Sequence, residues 1–280
     1  MSCHPYAVIA AQRLLPVLRS PDAEEAVRRT AALLAAGCRA VELTTSTPGW
    51  ADAVRRVVPL RDAHGRTAVV GVGTVTTTTQ AEAALDAGAA FLISPYPAPE
   101  VREVARRRAA VFIEGGFTPG EIAAAVRSAG AAKVFPAHVG GPEFVRSLKA
   151  VLPRALIIPT GGIRPGEVRA WLAAGAGAVG IGSGLPADPR EVADVFRELA
   201  VPCCPGCQAA DSAAAVGTAA PRPVRFEAAP DPGLLGAPDP AGTGATAGPD
   251  VAVGPDVTVV PAASGPAAPV VNGPTARGRT

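Results

Sequence analysis

The chain has 280 residues, with 26 basic against 24 acidic side chains and a formal net charge of +2. So even a balance argues against a nucleic-acid surface or an acidic partner. No run reaches the roughly 18 apolar residues of a membrane span, and residues 1–20 lack a basic leader with a small-residue cleavage site, so a cytoplasmic location is expected.

The composition divides the chain in two. Residues 201–280 hold 14 Pro, 11 Gly and 19 Ala, with Phe226 as their one aromatic. Such a stretch buries too little apolar surface to offset its ordering entropy, so a disordered C-terminal tail is expected there. Residues 1–200 remain for one folded domain with a substantial core. Of the five cysteines, Cys38 alone falls within the run of predicted elements. No disulfide framework is expected, and a reduced compartment is the default.

Strand-length apolar runs occur at 14–18, 40–44, 68–75, 91–94, 110–113, 133–135, 156–159 and 178–181. Helical spacing fills the gaps, at roughly 22–36, 49–60, 78–87, 98–108, 118–129, 142–150, 165–174 and 188–199. Ser20-Pro21-Asp22, Thr47-Pro48, Thr118-Pro119 and Arg164-Pro165 mark helix starts. Ala36-Gly37, Ala87-Gly88, Ala129-Gly130 and Ala174-Gly175 repeat as helix ends, with a glycine placed to turn the chain into the next strand. Continuously apolar strands signal burial on both faces, as in a parallel sheet. Eight βα units in this length predict a compact (β/α)8 TIM barrel, with a doubly wound open sheet as the rival.

In that fold the chemistry sits at the C-terminal ends of the strands. Lys133 is the sharpest signal there. Lys133 and Lys149 are the only lysines, and Lys133 stands in an apolar run where an ammonium is costly to bury unless paired. Desolvation favours the neutral amine, the form that can add to a ketone and make a Schiff base. A snorkelling or merely ion-paired lysine fits the sequence equally well. Lys149 lies on a helix and is expected to be solvated. Glu42 interrupts Ala40-Val41-Glu42-Leu43, either as a general acid/base or as the neutraliser of a buried cation. Gly161-Gly162 before a helix, and Gly182-Ser183-Gly184 after the last strand, fit a phosphate seat of backbone N–H groups and a helix N-terminus, or plain tight turns. His4, His64 and His138 are scattered, and Cys204-Pro205-Gly206-Cys207 has no second ligand pair, so no metal is expected.

Taken in order, Val41-Glu42-Leu43-Thr44, Gly71-Val72-Gly73-Thr74-Val75, Ile93-Ser94-Pro95, Lys133-Val134-Phe135-Pro136-Ala137, Gly141-Pro142-Glu143-Phe144, Pro159-Thr160-Gly161-Gly162-Ile163 and Val179-Gly180-Ile181-Gly182-Ser183 resemble the 2-keto-3-deoxy-6-phosphogluconate aldolase family, which includes 4-hydroxy-2-oxoglutarate and phosphogalactonate aldolases. The resemblance covers about residues 10–190 and implies class I aldol chemistry on a small phosphorylated keto acid. It also implies a homotrimer that needs neither metal nor cofactor. It implies Lys133 as the Schiff-base lysine and Glu42 as the general acid/base. Thr74 and Pro95 would line the pyruvate pocket, and Phe135 would pack beside the imine. Gly161, Gly162, Gly182 and Ser183 would hold the phosphate, with Thr160 at its edge. Ser46 stands where some members carry a carboxylate-binding arginine, whereas Arg19 matches others that place it at the end of the first strand. Glu114 replaces a usual proline near Lys133, where a role in substrate specificity is expected. Tyr96 and His138 replace smaller or acidic residues beside the pocket. A non-catalytic relative that binds a phosphometabolite is the alternative from another class.

Overall fold

The computed structural model describes residues 3–186 and 188–201. The expected tail disorder and the thiols of Cys203, Cys204 and Cys207 lie outside the described residues. Strands β1 (Leu14–Leu18), β2 (Ala40–Thr44), β3 (Val69–Gly73), β4 (Phe91–Ile93), β5 (Val111–Ile113), β6 (Gly115–Gly116), β7 (Ala131–Val134), β8 (Leu156–Pro159) and β9 (Val179–Ile181) alternate with helices. The helices are α1 (Pro5–Gln12), α2 (Ala23–Ala35), α3 (Trp50–Val57), α4 (Thr78–Asp86), α5 (Pro99–Arg107), α6 (Pro119–Ala129), α7 (Ala137–Val151), α8 (Val168–Ala173) and α9 (Pro189–Leu199).

The strands pair in parallel, in the orders β5-β4-β3-β2-β1-β9 and β6-β7-β8. Glu114 separates β5 from β6, and its carbonyl accepts from the Lys133 amide at 3.0 Å, so the ladder runs on from one sheet towards the other. At the opposite edge Thr160 bridges Gly180 in parallel. The result is an α/β fold built on a curled parallel sheet.

Successive strand residues point to opposite faces. Leu14, Leu18, Val41, Leu43, Leu92 and Phe112 pack against the helices in one core. Leu15, Ala40, Phe91, Ile93, Ala131 and Ile158 gather on the inner face in a second core, closed by Val8 and Ile9 of α1. This alternation decides which polar side chains can meet. Gly71 lets the inner face close up, because a Cβ there would stand 2.0 Å from the Phe91 ring.

The four repeated glycines behave as the sequence predicts: Gly37, Gly88, Gly130 and Gly175 have φ of 97, 95, 72 and 100°. Thr118 caps α6 with a full capping box to Glu121, and Asp22 caps α2. The short strand β6 is additional to the eight expected strands, β7 starts earlier than expected, and three helices also differ. Helix α1 was not foreseen: Tyr6 to Ala11 are apolar on every side and show no helical stripe. The predicted helix at 142–150 is the second half of α7, which breaks at Gly141 (φ 66°) before Pro142. The predicted helix at 165–174 opens as a 3-10 turn, Pro165–Glu167, ahead of α8.

Candidate active site

Lys133 follows Ala131 by two residues and Glu42 follows Ala40 by two, so both side chains join the inner face. Lys133 therefore sits third in β7 instead of opening its strand. The structure brings the two together across 91 residues of chain: Lys133 Nζ donates to Glu42 Oε1 at 3.4 Å, with side chains only 5% and 1% exposed. Glu42 Oε2 is buried and has no hydrogen-bond partner among the described residues. A buried carboxylate oxygen left unpaired is costly, so it marks a place built to receive a donor. Gly73 makes the room. A Cβ on it would lie 1.7 Å from Glu42 Oε1. The Lys133 ammonium also lies over the Phe135 ring, 5.6 Å from its centroid.

The other expected residues stand at or just beyond the C-terminal ends of their strands. Thr74, directly after β3, has φ 59°, an unusual backbone for a threonine, and its carbonyl accepts from Thr45 Oγ1 at 2.7 Å. Pro95 is half-buried beside Gly115, whose missing side chain lets the Pro95 carbonyl carbon pass 2.4 Å from where a Cβ would be. Arg19 continues the alternation of Leu15 and Val17, is exposed, and makes no ion pair among the described residues. Ser46 Oγ lies 2.9 Å from Thr44 Oγ1.

Gly161 and Gly162 have φ of 98 and 72°, and a Cβ on Gly161 would press the Phe135 ring at 3.0 Å. Thr160 is buried and fills the space a side chain on Gly180 would need. Gly182 and Ser183 lie in the turn after β9, half-buried and exposed respectively. The Gly161-Gly162 turn leads through Arg164 into the 3-10 turn Pro165–Glu167 ahead of α8, and the turn at Gly182 and Ser183 precedes α9 by several residues.

Two expectations need correction. Glu114 does not face Lys133. Ile113 belongs to the inner core, so the next residue points outward. There its carboxylate accepts from the Ala98 amide at 2.6 Å and from Arg102 at 2.9 and 2.6 Å. Lys149 is not simply solvated: it donates to the carbonyls of Pro153 and Ala155 at 2.7 and 2.8 Å, and partial burial holds its ammonium below the usual lysine range. Sequence reading missed the parts played by Gly73 and Gly115. The signal was available, since a glycine inside an apolar strand marks a close approach.

Comparisons with known proteins agree with this geometry. The family described as KDPG and KHG aldolase matches residues 6–210. A probable 2-dehydro-3-deoxy-6-phosphogalactonate aldolase from Rhizobium meliloti is 34% identical over 190 residues, 67% of this chain and 88% of that protein. The KHG/KDPG aldolase of Escherichia coli K12 is 31% identical over 194 residues, 68% of this chain and 89% of its own. Among solved structures, the KDPG aldolase of Legionella pneumophila, with pyruvate captured as a covalent carbinolamine intermediate, superposes with a TM-score of 0.62 at 25% identity, covering 71% of this chain and 99% of that one. With the amine and carboxylate already in contact, these matches settle the kinship: the chain belongs to the KDPG and KHG aldolase family.

Proposed function

We propose that this chain is a class I aldolase that cleaves a 2-keto-3-deoxy-6-phospho sugar acid to pyruvate and glyceraldehyde 3-phosphate through a Schiff base on Lys133. The observation that carries the reading is the buried pair of Lys133 and Glu42, with one oxygen of Glu42 unfilled. The neutral amine adds to the C2 ketone, and the carbinolamine loses water to an iminium. Glu42 takes the C4 hydroxyl proton. The C3–C4 bond then breaks, its electrons pass into the iminium to give an enamine, and the aldehyde leaves. The proton returns from Glu42 to C3, and water hydrolyses the pyruvate iminium to free Lys133. The intact pair speaks against a non-catalytic binding relative.

In this reading Arg19 receives the substrate carboxylate, Thr74, Pro95 and Phe135 line the pyruvate end, and Gly161, Gly162, Gly182 and Ser183 seat the phosphate with Thr160 beside them. The contacts at Glu114 and Thr160 support reading the two sheets as one (β/α)8 barrel. No helix among the described residues is long and apolar enough to cross a membrane. A homotrimer in the cytoplasm, and a domain boundary near residue 200 with a disordered tail beyond it, are proposed with this reading. An arginine at the end of β1 with Ser46 after β2, together with the likeness to the Rhizobium protein, favours the galacto epimer as the second substrate reading. Cleavage of unphosphorylated 4-hydroxy-2-oxoglutarate is the third.

A coupled pyruvate-release assay tests the proposal across phosphogluconate-type, phosphogalactonate-type and unphosphorylated keto acids. Release from at least one is expected, fastest with a phosphorylated acid. No release from any would refute it.

A further inference from the structure

We propose that His138 is a specificity-determining residue that binds the substrate phosphate; this deepens the reading above and rests on its assignment of the glycine turns as the phosphate seat. His138 opens α7, five residues beyond Lys133, and its backbone is laced to the turn after β8. The Ala137 amide donates to the Thr160 carbonyl at 2.9 Å, and the His138 amide donates to the Gly161 carbonyl at 3.1 Å. The imidazole Nδ1 lies 3.3 Å from the same Gly161 oxygen. A carbonyl can only accept, so this contact makes Nδ1 the donor. It leaves Nε2, on an exposed side chain, without a protein partner among the described residues.

The ring also stands against Gly162. A Cβ there would lie 2.6 Å from His138 Cγ and Nδ1. The glycine at φ 72° therefore does two things: it adopts a left-handed backbone, and it leaves the volume that the imidazole fills. Neighbouring charges are already committed to each other. Arg164 pairs with Glu167 at 2.8 Å on the turn side, and Arg146 with Glu143 at 3.4 Å on α7. Among the described residues no carboxylate pairs with the imidazole, so a phosphate monoester on the Gly161–Gly162 amides finds an uncommitted ring nitrogen beside it. With Nδ1–H engaged, Nε2 donates only once the ring takes up a second proton from solvent, and the resulting imidazolium makes a charge-assisted hydrogen bond from Nε2–H to a phosphate oxygen. A substrate without phosphate gains nothing from that contact.

The test uses the geometry of amide side chains: Asn places its NH2 near the position of Nδ1, and Gln near that of Nε2. Inorganic phosphate binding is measured by calorimetry on wild type, His138→Asn and His138→Gln. KM is measured for the phosphorylated keto acid and for 4-hydroxy-2-oxoglutarate, and thermal melting confirms folding. Losing one charge-assisted bond, His138→Asn is expected to weaken phosphate about tenfold and to raise KM for the phosphorylated acid by a similar factor. A much smaller change is expected for the unphosphorylated acid, and His138→Gln should recover part of the loss. Unchanged phosphate affinity in His138→Asn, equal KM increases for both substrates, or no phosphate binding by wild type would each overturn the proposal. Phosphate binding that depends on His138, with no pyruvate released from any substrate, would uphold it while refuting the aldolase reading.

Discussion

Glu42 and Glu114 are both buried glutamates of the curled sheet, one within β2 and one between β5 and β6, yet they are treated in opposite ways. Glu42 faces inward, touches Lys133 at 3.4 Å, and has one oxygen that accepts from no donor among the described residues. Glu114 faces outward, and both of its oxygens are filled, by the Ala98 amide and by the Arg102 guanidinium. A carboxylate whose acceptor capacity is used up holds structure together and has none left for a substrate. One whose oxygen meets no protein donor keeps acceptor capacity that a reacting proton can use. The difference separates the working carboxylate from the supporting one without reference to any relative.

Substitutions at the two sites should part accordingly. Glu42→Gln keeps the size and removes the base, so kcat should fall by about 10²–10⁴ in a variant that melting shows to be folded. Steady-state kinetics on the folded variant checks this, and a loss under threefold would deny Glu42 its acid/base role. Gly73→Ala acts on the same carboxylate from behind. Its Cβ needs the space of Glu42 Oε1, and because that oxygen ends a flexible side chain, the fold should survive while the carboxylate moves. A fall in kcat of about 10²-fold is expected from a displacement near 1 Å. Full activity would mean that the placement of Glu42 is not demanding. Glu114→Ala should show the reverse pattern. Leaving the Ala98 amide and Arg102 without their acceptor is expected to cost about 2 kcal/mol of stability in urea unfolding, with kcat within twofold of wild type. A shift in KM without loss of stability would return Glu114 to the specificity role that its sequence position suggested.

Those positions also show where the sequence is readable. Seven of the eight apolar runs, the four helix-ending glycines and the cap at Thr118 follow from local chemistry and reappear in place, while the run at 133–135 belongs to a strand that begins at Ala131. The direction of Glu114 does not. In a strand buried on both faces no polar alternation tells inside from outside, so Ile113 and Glu114 look alike until the inner core is seen. Helix α1 escaped for a related reason, since it is apolar all round, whereas α3 and α5 carry clear stripes. The meeting of Lys133 with Glu42 joins β7 to β2, and no spacing rule reaches across 91 residues. There the ordered motifs of the family resemblance carried the expectation, and the geometry now stands on its own.

The central claim is that Lys133 is the nucleophile. Incubating the protein with pyruvate and borohydride should reduce the iminium to a stable secondary amine, found by peptide mass spectrometry at Lys133, with activity lost in step. Lys149 is the internal control: it is the only other lysine, and its ammonium is engaged by two carbonyls. Lys133→Arg should give no adduct and no turnover, because a guanidinium stays protonated. An adduct on Lys149 alone, or turnover by Lys133→Arg, would contradict the account.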